Sequence, residues 1–236
     1  MKKNSLAIIL ILLLFSCNSE IKKNTKSKNK SEAKNSVVNN NTETSVPVTE
    51  VLHPEQLLAG DIVFQTTNGD QSKLIAIATQ SPFTHCGLIV KKENQYLVLE
   101  AFDGVSLTPL QTWIDRGDEG KIAVMRVKNR DKIFNQMNPK MAQKIMGSEL
   151  NKPYDSYYKW TDEAMYCSEL VWKMYQNTLN LEICPLRKLS DYDLSTEEVK
   201  TELKNKYGAT VPLNETMVAP SDIAASDMLE MIYSNY

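Results

Sequence analysis

Two apolar runs of strand length, His85-Cys86-Gly87-Leu88-Ile89-Val90 and Tyr96-Leu97-Val98-Leu99-Glu100-Ala101, stand on either side of the polar, turn-like Lys92-Glu93-Asn94. A connection this short makes the two strands antiparallel, because a parallel pair needs a crossover of a dozen or more residues. Alternation puts His85, Gly87 and Ile89 on one face and Cys86, Leu88 and Val90 on the other. With the hairpin centred on residues 92–93, His85 falls opposite Glu100. A carboxylate within such an apolar run is costly to bury without a partner. A cross-strand imidazole N–H is such a partner, and the pairing would fix the ring's tautomer and raise its basicity. A slip of one residue would instead turn Glu100 to the opposite face, where a strand-end Glu meets water.

The remaining elements are short. His53 to Leu58 reads as a helical turn ending near Gly60, and Asp61 to Gln65 as a strand. Asp70 is placed to cap a helix over 71–79, which Ser81-Pro82 stops. Ile122 to Val127 reads as another strand. Asn138-Pro139 opens a helix that Gly147 closes, Ser168 to about Tyr175 forms a strongly apolar helix, and Ser195 with Glu198 forms a capping box for a helix ending before Gly208. No repeat is visible, and strands do not alternate with helices. The expected class is α+β.

The chain divides into three parts. Residues 1–16 join Lys2 and Lys3 to a ten-residue apolar stretch from Leu6 to Phe15, the pattern of a secretory signal and too short to span a bilayer comfortably. Residues 17–50 begin at Cys17 and continue in Asn, Lys, Ser, Thr and Glu, which bury too little apolar surface to offset chain entropy and read as a flexible tether. Residues 51–236 form the expected folded domain. Six Lys and four Glu lie in residues 18–50, so the domain is more acidic than the overall net charge of −2 suggests. That balance gives no support for nucleic-acid binding, and four cysteines in 236 residues make no disulfide scaffold.

Few residues offer chemistry. His53 precedes a proline and reads as a surface turn residue. Cys167, in Tyr166-Cys167-Ser168-Glu169-Leu170, falls in the first turn of the apolar helix, where free N–H groups and the helix dipole favour a thiolate. With His85 close in space it would supply the minimum for thiol acyl transfer. Composition alone leaves it open as an inert core cysteine. His85, Cys86, Cys167 and Cys184 lack paired metal-ligand spacing, so no metal is expected.

Read in order, THCG, VLEA, GSELNKPYDSYYKW and YCSELVWKMY resemble the permuted papain-like amidases of the YaeF/YiiX family. That family lies within the NlpC-type cell-wall peptidase superfamily and is distantly related to lecithin retinol acyltransferase. The match runs from about Leu58 to Ile223. The resemblance implies a circularly permuted papain-like fold, with a small antiparallel sheet or partial barrel packed against the nucleophile helix. It implies Cys167 as nucleophile, His85 as base and Glu100 as the group orienting His85. Tyr154, in Lys152-Pro153-Tyr154-Asp155, aligns with a family tyrosine that would donate to an oxyanion or wall the pocket. The implied reaction needs no cofactor and cleaves an amide or related acyl bond in a peptide, cell-wall peptide or amino-acid conjugate. Kinship also leaves open a lipid acyl hydrolase or acyltransferase, or a non-catalytic lipoprotein that binds amino acids or peptides. Leu14-Phe15-Ser16-Cys17 resembles a bacterial lipobox. This implies acylation of Cys17 and a lipid anchor on a membrane of the bacterial cell envelope, with the domain outside the cytoplasm. No obligate protein partner is implied.

Overall fold

The computed structural model of the chain describes residues 52–236. The signal-like run, Cys17 and the tether lie outside the described residues. The elements, in chain order, are β1 (Ile62–Gln65), α1 (Asp70–Thr79), β2 (His85–Lys92), β3 (Gln95–Ala101), β4 (Val105–Pro109), α2 (Leu110–Arg116), β5 (Ala123–Val127), α3 (Arg130–Phe134), α4 (Pro139–Glu149), α5 (Cys167–Leu179), β6 (Arg187–Lys188), α6 (Glu197–Tyr207), β7 (Thr216–Met217), α7 (Pro220–Ala224) and β8 (Leu229–Ser234).

Six strands make one antiparallel sheet in the order β4-β3-β2-β1-β5-β8, and β6 pairs with β7 in a separate ribbon. Burial on both faces explains why its central strands are almost wholly apolar. Ile62, Phe64, Cys86, Leu88 and Leu99 pack on one face with Leu170, Val171 and Met174 of α5. Val63, Ile89, Val98 and Val124 pack on the other around Trp113 of α2. The architecture is α+β, as expected.

The central hairpin differs from its sequence reading in register. Lys92 pairs with Gln95 and Leu88 with Leu99, so the turn is Glu93-Asn94, with Glu93 in the left-handed region at φ 52°. Moving the centre of the hairpin by one residue moves every partner by two. Glu100 therefore comes level with Gly87 rather than His85, one diagonal step away on the same face. Even-numbered slips preserve the face, and the His85–Glu100 pairing survives. Gly87 is required at that level: a Cβ there would run into Val98 Cγ1 and come within 2.9 Å of the Leu99 carbonyl oxygen.

Three expected helix boundaries also move. Asp70 is the first residue of α1, and the capping position falls to Gly69 with no side-chain bond; the Asp70 carboxylate pairs with Lys73 at 3.5 Å instead. Asn138 does cap α4, accepting from the N–H groups of Lys140 and Met141, but the helix continues through Gly147 to Glu149. Thr196, not Ser195, caps α6 by accepting from Val199 N–H, while Ser195 donates to Asp193.

Candidate active site

Three segments converge at one end of the sheet. The first is the start of β2, which carries His85 and Cys86. The second is the end of β3, which carries Glu100. The third is the amino end of α5, which starts at Cys167. Helix α5 packs on β2 and β3, which brings the first turn of the helix to the strand ends. Its capping residue Tyr166 is extended (φ −99°, ψ 166°), and the Glu169 carboxylate accepts the Tyr166 N–H at 3.3 Å. His85, Glu100 and Cys167 are all buried.

Glu100 is completely enclosed and has a partner for each oxygen. His85 Nε2 lies 2.6 Å from Oε2, and Thr108 Oγ1 donates to Oε1 at 2.5 Å. Arg116 Nη2, from the last residue of α2, also donates to Oε2. Burial alone would raise the Glu100 pKa, but the His85 hydrogen bond, with Thr108 and Arg116, holds it below its ordinary value. The imidazole itself is held on both sides, with Trp113 stacked at 5.9 Å between ring centroids and Phe102 edge-on at 5.7 Å. Phe102 in turn lies under the Arg116 guanidinium, 3.9 Å from ring centroid to carbon.

The thiols behave oppositely. The Cys167 pKa is held well below its ordinary value, first by a hydrogen bond from the Cys86 thiol and then, against burial, by His85 and the Cys86 backbone N–H. Burial pushes the Cys86 thiol well up, and burial also raises Cys184, to about 12. For His85, burial works downward, but hydrogen bonds to Cys167 and Glu100 outweigh it and lift the ring to about 9. The arrangement favours a Cys167 thiolate beside a His85 imidazolium. With Nε2 engaged by Glu100, Nδ1 is the ring nitrogen left for the sulfur.

Tyr154 reaches the site through backbone pairing. Met165 N–H donates to Pro153 O at 3.0 Å and Asp155 N–H to Met165 O at 3.1 Å, which ties the Tyr154 segment two residues ahead of Cys167. The Asp155 carboxylate closes the following loop by accepting the N–H groups of Tyr157 and Lys159 at 2.8 and 2.6 Å. Burial raises the Tyr154 phenol well above its ordinary value, aided by Tyr158 and the Cys167 charge, so it stays a neutral donor. Tyr158, itself raised to about 12 by burial, accepts from Gln71 Nε2.

The structure thus brings His85, Glu100, Cys167 and Tyr154 together. His53 stays apart, mostly exposed and 3.3 Å from Glu55. Arg116, Thr108, Cys86, Tyr158 and Gln71 were not singled out from sequence as site residues. The spacing of Leu110, Trp113 and Ile114 carries the helical signal for α2, but not the packing that brings Arg116 to Glu100.

A model of the family described as permuted papain-like amidase enzyme, YaeF/YiiX, C92 family, matches residues 56–233. The chain is 39% identical over 173 residues to the uncharacterized protein YiiX of Escherichia coli (strain K12), covering 73% of this chain and 84% of that protein. It is also similar to the crystal structure of the metalloprotein yiiX from Escherichia coli O157:H7, at 37% identity and a TM-score of 0.72, covering 77% of this chain and 99% of that one.

Proposed function

Because this chain belongs to the YaeF/YiiX family of permuted papain-like amidase enzymes, we propose that it is a thiol hydrolase that opens amide bonds through an acyl-enzyme on Cys167. The observation that carries the reading is the clamp on Glu100. A fully buried carboxylate held by His85, Thr108 and Arg116 is an expensive arrangement, and its effect is to keep His85 protonated beside a thiolate. A solely structural cysteine needs none of it.

In the proposed reaction the Cys167 thiolate attacks the acyl carbonyl, forming the S–C bond. Collapse of the tetrahedral intermediate breaks the C–N bond, and His85 gives its proton to the leaving amine. Water then attacks the thioester with His85 as base, the S–C bond breaks, and a carboxylate leaves. Unpaired first-turn N–H groups of α5 and the neutral Tyr154 phenol are the donors for the oxyanion. The substrates are small molecules or peptides carrying such an amide. The signal-like run and Cys17 support a lipid-anchored location in the cell envelope; among the described residues no helix is long and apolar enough to cross a membrane.

The metal of the metalloprotein relative finds no set of ligands in this site. Among the described residues no group of three or more His, Cys, Asp or Glu side chains is arranged to hold an ion, and both Glu100 oxygens are already bonded to protein donors.

Thiol labelling tests the reading. With limiting iodoacetamide at about pH 6, where an ordinary thiol of pKa near 8.5 is almost wholly protonated, Cys167 should alkylate well ahead of Cys86 and Cys184. His85→Ala should slow that labelling. First labelling of Cys86 or Cys184, or a rate indifferent to His85, would refute the proposed pair.

A further inference from the structure

Cys167 opens into a groove between α1 and α6. Its long wall is α1, whose sequence QSKLIAIAT is mostly apolar from Leu74 onward, yet only Ser72 of that helix is buried. Leu74, Ile75 and Ala78 remain half-buried and line the groove. Leu203, also half-buried, faces them from α6, and Val218 continues the lining next to the nucleophile. Two charged side chains enter the lining, Glu202 and Lys206. They sit one helical turn apart and 4.0 Å from each other, and the Lys206 ammonium lies 4.7 Å over the Tyr158 ring.

We propose that this groove holds the acyl half of the substrate and that the acyl group is a long, unbranched hydrocarbon chain. The inference rests on the Cys167 reading above and names its substrate class as an N-acyl amide. Cys167 is part of the groove lining, so a group seated there beside the sulfur is continuous with the carbonyl under attack. A peptide or amino-acid residue would carry amide and charged groups into it, and each would need a partner on burial. The wall is mainly aliphatic and ring surface; the bordering hydroxyls of Tyr158, Tyr192 and Tyr207 are already bonded to Gln71, Asp222 and the Tyr157 carbonyl, and its two charged groups face each other at 4.0 Å. A methylene chain asks for nothing more and gains about 0.8 kcal/mol per buried CH₂. The bond chemistry is unchanged: the acyl–sulfur bond forms, the C–N bond breaks, the amine leaves with the His85 proton, and water releases a long-chain carboxylate.

The test is a series of aminomethylcoumarin amides carrying acetyl, octanoyl and dodecanoyl groups, with alanyl and dipeptidyl amides alongside. The full chain should show kcat/KM rising about tenfold for every two methylenes until the groove is full. In Leu203→Glu the dodecanoyl-to-acetyl ratio should fall at least about tenfold, since a carboxylate in the wall rejects the chain. That ratio does not depend on how much of the variant is folded. Equal rates across the acyl series, or faster release from the alanyl and dipeptidyl amides, would overturn the acyl-chain inference and leave the Cys167 reading standing. If no amide acylates Cys167 while iodoacetamide still labels it, the acyl-enzyme reading fails and this inference fails with it.

Discussion

Cys167→Ser should lose essentially all amide turnover, a fall on the order of 10⁴-fold or more by comparison with nucleophile deletions in other acyl-transfer enzymes, while the fold persists. The side chains are close in size, and Cys167 sits in the first turn of α5, where a hydroxyl finds the same unpaired amides. What is lost is acidity. The Cys86 thiol and the His85 imidazolium hold the sulfur well below its ordinary pKa, whereas a serine hydroxyl is far harder to deprotonate in the same setting. Far-ultraviolet circular dichroism should match the parent protein while release of coumarin disappears. Retained activity in the serine variant would place the chemistry elsewhere.

Glu100→Gln is expected to act on the histidine and not on the sulfur directly. The neutral amide keeps the shape and an acceptor oxygen but gives up the charge that supports His85 and Arg116. The ring is held at about 9 in the parent protein against an ordinary value of 6.5, so the alkaline limb of kcat/KM should lie near pH 9, where imidazolium is lost. In the variant that limb should move down, and kcat should drop on the order of 10²- to 10⁴-fold. Stability should follow the same groups. The raised His85 contributes stability that is full below pH 6.5 and lost as pH rises through about 9. The depressed Glu100 contributes stability that is full above its ordinary 4.5 and lost as pH falls through its lowered folded value. Taking away the charge leaves buried donors without their anion, a cost of about 3–5 kcal/mol in comparable buried pairs, measurable by urea unfolding. An alkaline limb that stays at pH 9 would contradict the positioning role of Glu100.

How far the site could be read from sequence depended on which physical rule was at work. His85 and Glu100 were legible because the period of two in a strand outlives an error in register: each cross-strand partner was off by two positions, and the face was still right. Cys167 was legible because the apolar helix starts there. Arg116 was not, because α2 is short and follows Pro109, and its contact with Glu100 depends on how α2 packs against the sheet. Alternation placed Cys86 on the strand face opposite His85 and said nothing of what covers that face. Cys86 does lie on that face, and α5 covers the same face and presents the Cys167 sulfur to it. The pairing of β8 with β5 joins segments about a hundred residues apart, and nothing in either segment names the other. Capping misreadings at Asp70 and Ser195 were each off by one position, the ordinary uncertainty at helix ends.

The proposed reaction passes through a covalent bond to the Cys167 sulfur. The most direct measurement is a reaction of the full chain with p-nitrophenyl acetate, quenched in acid within the first turnover and digested for peptide mass spectrometry. The predicted result is a burst of about one nitrophenolate per protein and an acetyl group on the peptide containing Cys167, both absent in Cys167→Ser. An acetyl group on any other residue, or turnover with no burst and no thioester, would contradict it.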